Sequence, residues 1–300
     1  MSNITANPFY RPAFAQVPME DGLAINDPAK MYVVSDGVSG PYCPAMPGIQ
    51  YPKKAEKITG GQMVTECICD AVSRAMPSSL RVRSSIIEVL IGANTTVLAN
   101  HMAMGQDPAL KAVAGASVSG CQILEDGRVM LVEIGDCFTF YKDRIGFHFR
   151  TNFDQAAFDF EQRGNEAFDQ CLKEACGNKG VAWNFYYPYF AQKQFDRANR
   201  NMGKLGHAVL NGNPHFLQCM STKIIEPMDL EWILLGTDGL LTADCTNPKN
   251  RVQFEQDLGQ MYLKGGLPAI IEWRDKADYL PHISGYPEAS AIEIFFDKTF

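Results

Sequence analysis

Three apolar segments follow one another so closely that they limit the fold more than any other part of the chain. Ala116 to Leu124, Val129 to Ile134 and Phe138 to Lys142 are separated only by "EDGR" and "GDC". Parallel strands need crossovers of a dozen or more residues, so connections this short predict an antiparallel meander, with Asp126-Gly127 making the first turn. Two more apolar runs, Met31 to Ser35 and Trp232 to Gly236, read as buried strands, and Ala291 to Phe296 as a closing one. Between them the period changes to 3.6. Gly61 to Ala75 and Ser85 to Met104 read as helices lying on a sheet, and Val252 to Leu263 and Leu267 to Arg274 as shorter ones. Strands in runs and helices in runs predict an α+β domain with stacked sheets and covering helices. Thr151 to Phe216 reads as irregular, with a mobile insertion in "RANRNMGKLGHAVLNGNPHF".

Composition removes several function classes. At 300 residues and 46% hydrophobic content the chain can bury one large core, and a single domain over 1–300 is the expectation. A formal net charge of -7 opposes a polyanion-binding surface, so nucleic acid is not an expected partner. No window approaches eighteen apolar residues without a charge, and the first residues lack the basic start and apolar run of a signal, so neither a membrane span nor export is predicted. The nine cysteines are odd in number and irregularly spaced, as reduced core thiols are, which points to the cytoplasm. Cys67 and Cys69 are followed by no second pair at zinc spacing, and the five histidines form no metal pair. Oligomeric state has no signature.

Three times a strand or its turn ends in an acid beside glycine: "VVSDG" at Asp36, "VEIGDC" at Asp136 and "ILLGTDG" at Asp238. Any one of these is a common turn. A buried carboxylate, however, has to be hydrogen-bonded, paired or bound to a metal, and oxygen-rich clusters select Mg²⁺ or Mn²⁺ over zinc. A glycine after the acid lets the main chain come close enough for its carbonyl to serve as a further ligand.

In order and spacing these segments resemble the metal-dependent protein phosphatases of the type 2C serine/threonine family. "MED" at Met19 to Asp21 is similar to the family's early Glu-Asp motif, and "VVSDGVSG" to its Asp-Gly-X-Gly-Gly loop. "AGASVSGCQILEDGRVMLVEIGDC" resembles the Gly-Thr-Thr strand with the Gly-Asp-Ser turn. "EWILLGTDGLL" resembles the Ser-Asp-Gly-Leu segment, and "EASAIEIFF" the terminal Asp-Asn-X-Thr strand. The resemblance implies a four-layer α/β/β/α sandwich of two mainly antiparallel sheets, with two or three Mg²⁺ or Mn²⁺ ions at one end. It implies direct hydrolysis of phosphoserine or phosphothreonine in a phosphoprotein by water. By matching position, Asp36 bridges two ions, the Gly37 carbonyl and Glu20 complete one site, Asp238 holds the other, and Asp136 serves the third. Asp36 and Asp238 are the catalytic pair.

The chain departs from that pattern at the site. The Arg expected four residues before Glu20 is Gln16, with Arg11, Arg197, Arg200 or Lys204 as substitutes from elsewhere. The last metal Asp falls on Pro287, leaving Glu288 as either a ligand or an exposed turn glutamate. Cys137 and Phe138 stand where Ser and Arg are usual. These departures favour a second reading, a phosphatase-like binding or regulatory module with weak turnover or none.

Overall fold

The computed structural model describes residues 4–11, 19–38, 58–76, 85–199, 207–226, 230–241, 247–276 and 288–296. Gln16, Cys43, Arg200, Lys204, Cys245 and Pro287 lie outside them.

The predicted meander forms as β4 (Gly115–Ile123), β5 (Val129–Ile134) and β6 (Phe138–Lys142). It does not stay in one sheet. β4 and β5 pair with each other, with β2 (Gly22–Asn26), β3 (Met31–Val38) and β8 (Ser221–Ile225), in the order β2-β3-β4-β5-β8. β6 crosses into a second sheet, ordered β1-β10-β9-β6-β7, with β1 (Ile4–Arg11), β7 (Phe147–Thr151), β9 (Trp232–Gly236) and β10 (Ala289–Phe296). Every strand pair is antiparallel. The change of sheet occurs at Gly135, whose φ of +73° suits glycine and whose Cβ would lie 2.2 Å from the Ser117 hydroxyl.

Alternation along the strands sorts the core into layers. On β3, Tyr32 and Val34 face the other sheet, packing with Leu131, Tyr141, Ile233, Leu235, Ile292 and Ile294. Met31 and Val33 face the opposite way, onto α1 (Gly60–Ser73) and α2 (Ile86–Ala103) through Val64, Ile68, Leu90 and Val97. The outer face of the second sheet, with Phe138, Phe140 and Leu234, is covered by α6 (Arg251–Lys276) through Phe254, Leu258, Tyr262 and Ile270. The result is the α/β/β/α order of the expected sandwich. Caps fix two helix starts: Thr59 accepts the Gln62 N–H at 3.0 Å, and Ser85 forms a capping box with Glu88. The two short helices expected near the end are the halves of α6, broken at Gly265 and Gly266.

The stretch read as irregular is different in structure. Gln155–Glu174 and Lys179–Arg197 are the helices α3 and α4, and Phe216–Cys219 is the short α5. Their contact is aromatic: Phe168 meets Tyr186 edge-on at 5.5 Å and Trp183 at 5.8 Å. The many Asn, Gln and aromatic residues obscured a helical hairpin whose apolar stripe is made of rings instead of aliphatic side chains. On α4, Tyr186 is buried in that contact and Phe185 and Tyr189 are exposed.

Seven cysteines are described, all as free thiols. Cys121, Cys137 and Cys219 are buried, and Cys176 is exposed. Among the described residues no helix is long and apolar enough to cross a membrane.

Candidate metal centre

Asp36 stands near the end of β3, opposite Ser117 of β4. Ser117 also accepts the Asp136 N–H at 3.3 Å, so one buried serine ties both acids to the same sheet end. Gly37 follows, and its N–H donates to the Glu20 carbonyl at 3.1 Å. A Cβ on Gly37 would sit 2.7 Å from both that carbonyl oxygen and the backbone of Gly61 at the start of α1. Only glycine allows this approach, which brings Glu20 and Asp21 beside Asp36.

The second sheet brings the remaining acids. Asp238 begins a short 3-10 turn directly after β9, and the preceding residue, Thr237, is a fully buried clamp. Its hydroxyl donates to Asp21 Oδ2 at 2.7 Å and accepts the Ser290 N–H at 2.9 Å. Glu288, just ahead of β10, accepts the Glu20 N–H at 3.0 and 3.1 Å on its two oxygens. Gly239 makes room for this segment, since a Cβ there would lie 1.8 Å from the Glu288 carbonyl oxygen. Gly239→Ala is therefore expected to lower stability by about 1–3 kcal/mol, read by urea unfolding.

One oxygen each from Asp21, Asp36 and Glu288 lies within 4.8 Å of the others. Asp238 shares a side-chain hydrogen bond with Asp36, and the charge of Asp136 acts on both. Burial, followed by repulsion from neighbouring acids, lifts Asp21, Asp36, Asp238 and Glu288. Asp36 is pushed well above the usual carboxylate range by burial and then by Asp238 and Asp21. Asp21 is pushed up to about 8 by burial and then Glu288, and Asp238 up to about 7 by burial and then Asp136. Glu288 is raised as well, by burial first. The neighbouring Cys137 thiol is driven up by burial and then by Asp36. Asp136 Oδ1 is buried without a hydrogen-bond partner. Converging carboxylates that repel one another, one with an orphaned oxygen, fit hard divalent cations.

Of the residues singled out in the sequence, Asp36, Asp136, Asp238 and Glu288 come together at one end of the sandwich. Glu20 is there by its backbone, while its carboxylate packs over Gly61. Asp21, its neighbour in "MED", joins the convergent oxygens instead. Asp21 and Thr237 were the residues that sequence reasoning passed over, although each adjoins a residue that was chosen. Arg11 is drawn off to Asp275 at 2.7 Å, away from the acids. Phe138 stacks on Phe149 at 5.2 Å in the core.

The fold is that of the metal-dependent phosphatase sandwich, as known structures show. PppA, a key regulatory component of T6SS in Pseudomonas aeruginosa, superimposes with a TM-score of 0.56 at 14% identity, covering 99% of each chain. The Stp1 serine/threonine phosphatase of Staphylococcus aureus gives 0.54 at 11% identity over 99% of this chain and 96% of that one. The catalytic domain of the serine/threonine phosphatase PstP, solved with two manganese ions, gives 0.52 at 11% over 97% of each. No protein-family model matches the sequence, and no curated protein matches it. The chain thus has the fold of the bacterial serine/threonine phosphatases at very low sequence identity.

Proposed function

We propose that this chain is a metal-dependent phosphatase that hydrolyses phosphoserine or phosphothreonine in proteins, as one domain over 1–300. The observation that carries the reading is the convergence of Asp21, Asp36 and Glu288 oxygens beside Asp136 and Asp238, from both sheets. Asp36, Asp238 and the Gly37 carbonyl hold two Mg²⁺ or Mn²⁺ ions in this reading, with Glu20, Asp21 and Glu288 completing them and Asp136 serving a third. Such ions supply an activated water and neutralise charge on the phosphoryl oxygens. The protein's part is positional. Strand ends and the Thr237 clamp fix the carboxylates, and the Glu20 N–H orients Glu288. The seven described cysteines are free thiols, three of them buried, which suits a reducing cytoplasm.

The test is hydrolysis of p-nitrophenyl phosphate or a phosphothreonine peptide with Mn²⁺, stopped by EDTA. Metal-independent turnover contradicts the reading. Glu288→Gln is expected to weaken Mn²⁺ binding about 10–100-fold. An unchanged titration leaves Glu288 as a residue that only braces the turn through the Glu20 N–H. Gln16 and Pro287 favour the second reading, a phosphatase-like regulatory or binding module with weak or no catalysis, which predicts a folded protein with little or no turnover on either substrate.

A further inference from the structure

Beside the acid cluster lies an open groove of about 510 Å³, where β1 and β2, edge strands of the two sheets, come up against α1. β1 lends it Pro8 and Tyr10, which alternation puts on one face of the strand, and β2 lends it Leu23. From α1 come Gln62, Glu66 and Cys69, which the helical period sets on one stripe. Asp21 belongs both to the groove wall and to the convergent oxygens. The groove therefore adjoins the candidate metal centre.

Its walls suit a side chain with an apolar stem and a positive head. The charged residues that line it are Asp21 and Glu66, and none of the lining residues is Lys, Arg or His. Glu66 is exposed, and its hydrogen-bond partner among the described residues is the neutral Gln62 amide at 3.5 Å. Tyr10 is exposed as well, and its hydroxyl donates to the Met19 sulfur, which holds the ring at the wall. Burial, then the charges of Glu288 and Asp21, raise its phenol above the ordinary value, as befits a ring beside these acids. Cys69 adds no charge of its own, because burial, then Asp70 and Glu66, push its thiol up to about 12. A Lys or Arg side chain can lay its methylenes along Pro8 and Leu23 and set its cation between an aromatic ring and a carboxylate. We propose that this groove takes a Lys or Arg side chain that lies near the phosphorylated residue of the phosphoprotein, and that Glu66 sets the preference. The inference rests on the phosphatase reading for the class of substrate.

Extended chain rises about 3.3 Å per residue, so phosphothreonine peptides carrying arginine, leucine, glutamate or alanine up to about three positions away on either side test it, with the Mn²⁺-loaded full chain. The best arginine peptide is expected to exceed its alanine counterpart in kcat/KM by about 3–30-fold, mainly through KM, as one exposed ion pair and one cation–π contact together allow. Glu66→Gln should shrink that ratio, and Glu66→Lys should make the glutamate peptide the preferred one. Both residues are good helix formers at an exposed position, so the fold is kept. Equal rates for arginine and alanine at every position, a preference for leucine, or an arginine preference that Glu66→Lys leaves in place each overturn the inference, while the turnover itself upholds the phosphatase reading. If no peptide is hydrolysed, the anisotropy of the same peptides, fluorescently labelled, decides. Tighter binding of the arginine peptide that Glu66→Lys abolishes keeps the groove assignment and removes the proposed function; binding that is absent or indifferent to arginine removes both.

Discussion

Asp36→Asn is expected to reduce Mn²⁺-dependent hydrolysis of p-nitrophenyl phosphate by at least about 100-fold, more than loss of a residue that merely orients a ligand. The same variant should fold, because Asn occupies the same volume and Asp36 is uncomfortable as an anion in the metal-free chain, where burial and Asp238 push it toward the protonated form. The two measurements together separate a metal ligand from a structural acid. A ligand loses turnover and Mn²⁺ affinity with the unfolding midpoint kept or raised. A structural acid loses stability first. Activity retained in both Asp36→Asn and Asp238→Asn removes the acids from the proposed mechanism.

The strands carrying these acids were legible because burial on both faces leaves a near-continuous apolar run. β3, β5, β6 and β9 begin where Met31, Val129, Phe138 and Trp232 predict. The edge strands were not. β1, "ITANPFYR", alternates small and polar residues and carries Pro8, and β8, "STKII", is mostly exposed. An edge strand has one neighbour and little to bury, so its pattern is weak. The division of the meander between two sheets was also hidden, because Gly135 turns the chain out of one sheet through a conformation that "GDC" does not advertise.

At the site, an acid next to glycine after an apolar run was readable, since the run fixes where the carboxylate emerges. The choice between Glu20 and Asp21 was not. It depends on how closely Gly37 and Gly61 approach, which occupies the space beside Glu20 and leaves Asp21 to face Thr237. Adjacent residues in an extended segment point to opposite sides, so a one-residue uncertainty in register exchanges the residue whose carboxylate joins the convergent oxygens for its neighbour. The α3–α4 hairpin was missed for another reason. Its contact consists of Phe168, Trp183 and Tyr186, and Pro188 lies within α4, both poor advertisements for a helix.

In EDTA the protein is expected to lose stability steadily between about pH 5 and 8, and Mn²⁺ to cancel that loss. In an unfolded chain aspartates ionise near pH 4. In the fold Asp21 holds its proton up to about 8 and Asp238 up to about 7, because burial and neighbouring acids oppose their charge. Across that window the folded state binds protons that the unfolded state has released, so stability is full below about pH 4 and falls as pH rises through the folded values. Each such group contributes a slope of about 1.4 kcal/mol per pH unit while the difference persists. Paired carboxylates elsewhere act in the opposite sense but in another range: Asp143, held low through its bonds to His148 and the Gly146 and Ile145 N–H groups, stabilises above its own low value and is lost only in stronger acid. Asp21→Asn keeps an oxygen for the Thr237 hydroxyl while removing the charge, so the metal-free variant should be more stable than the wild type at pH 8 and nearly equal to it at pH 5. It should also gain less from Mn²⁺. Urea unfolding at the two pH values, with EDTA and with Mn²⁺, reads all three effects, and a flat or rising EDTA profile would mean that these carboxylates do not repel one another inside the fold.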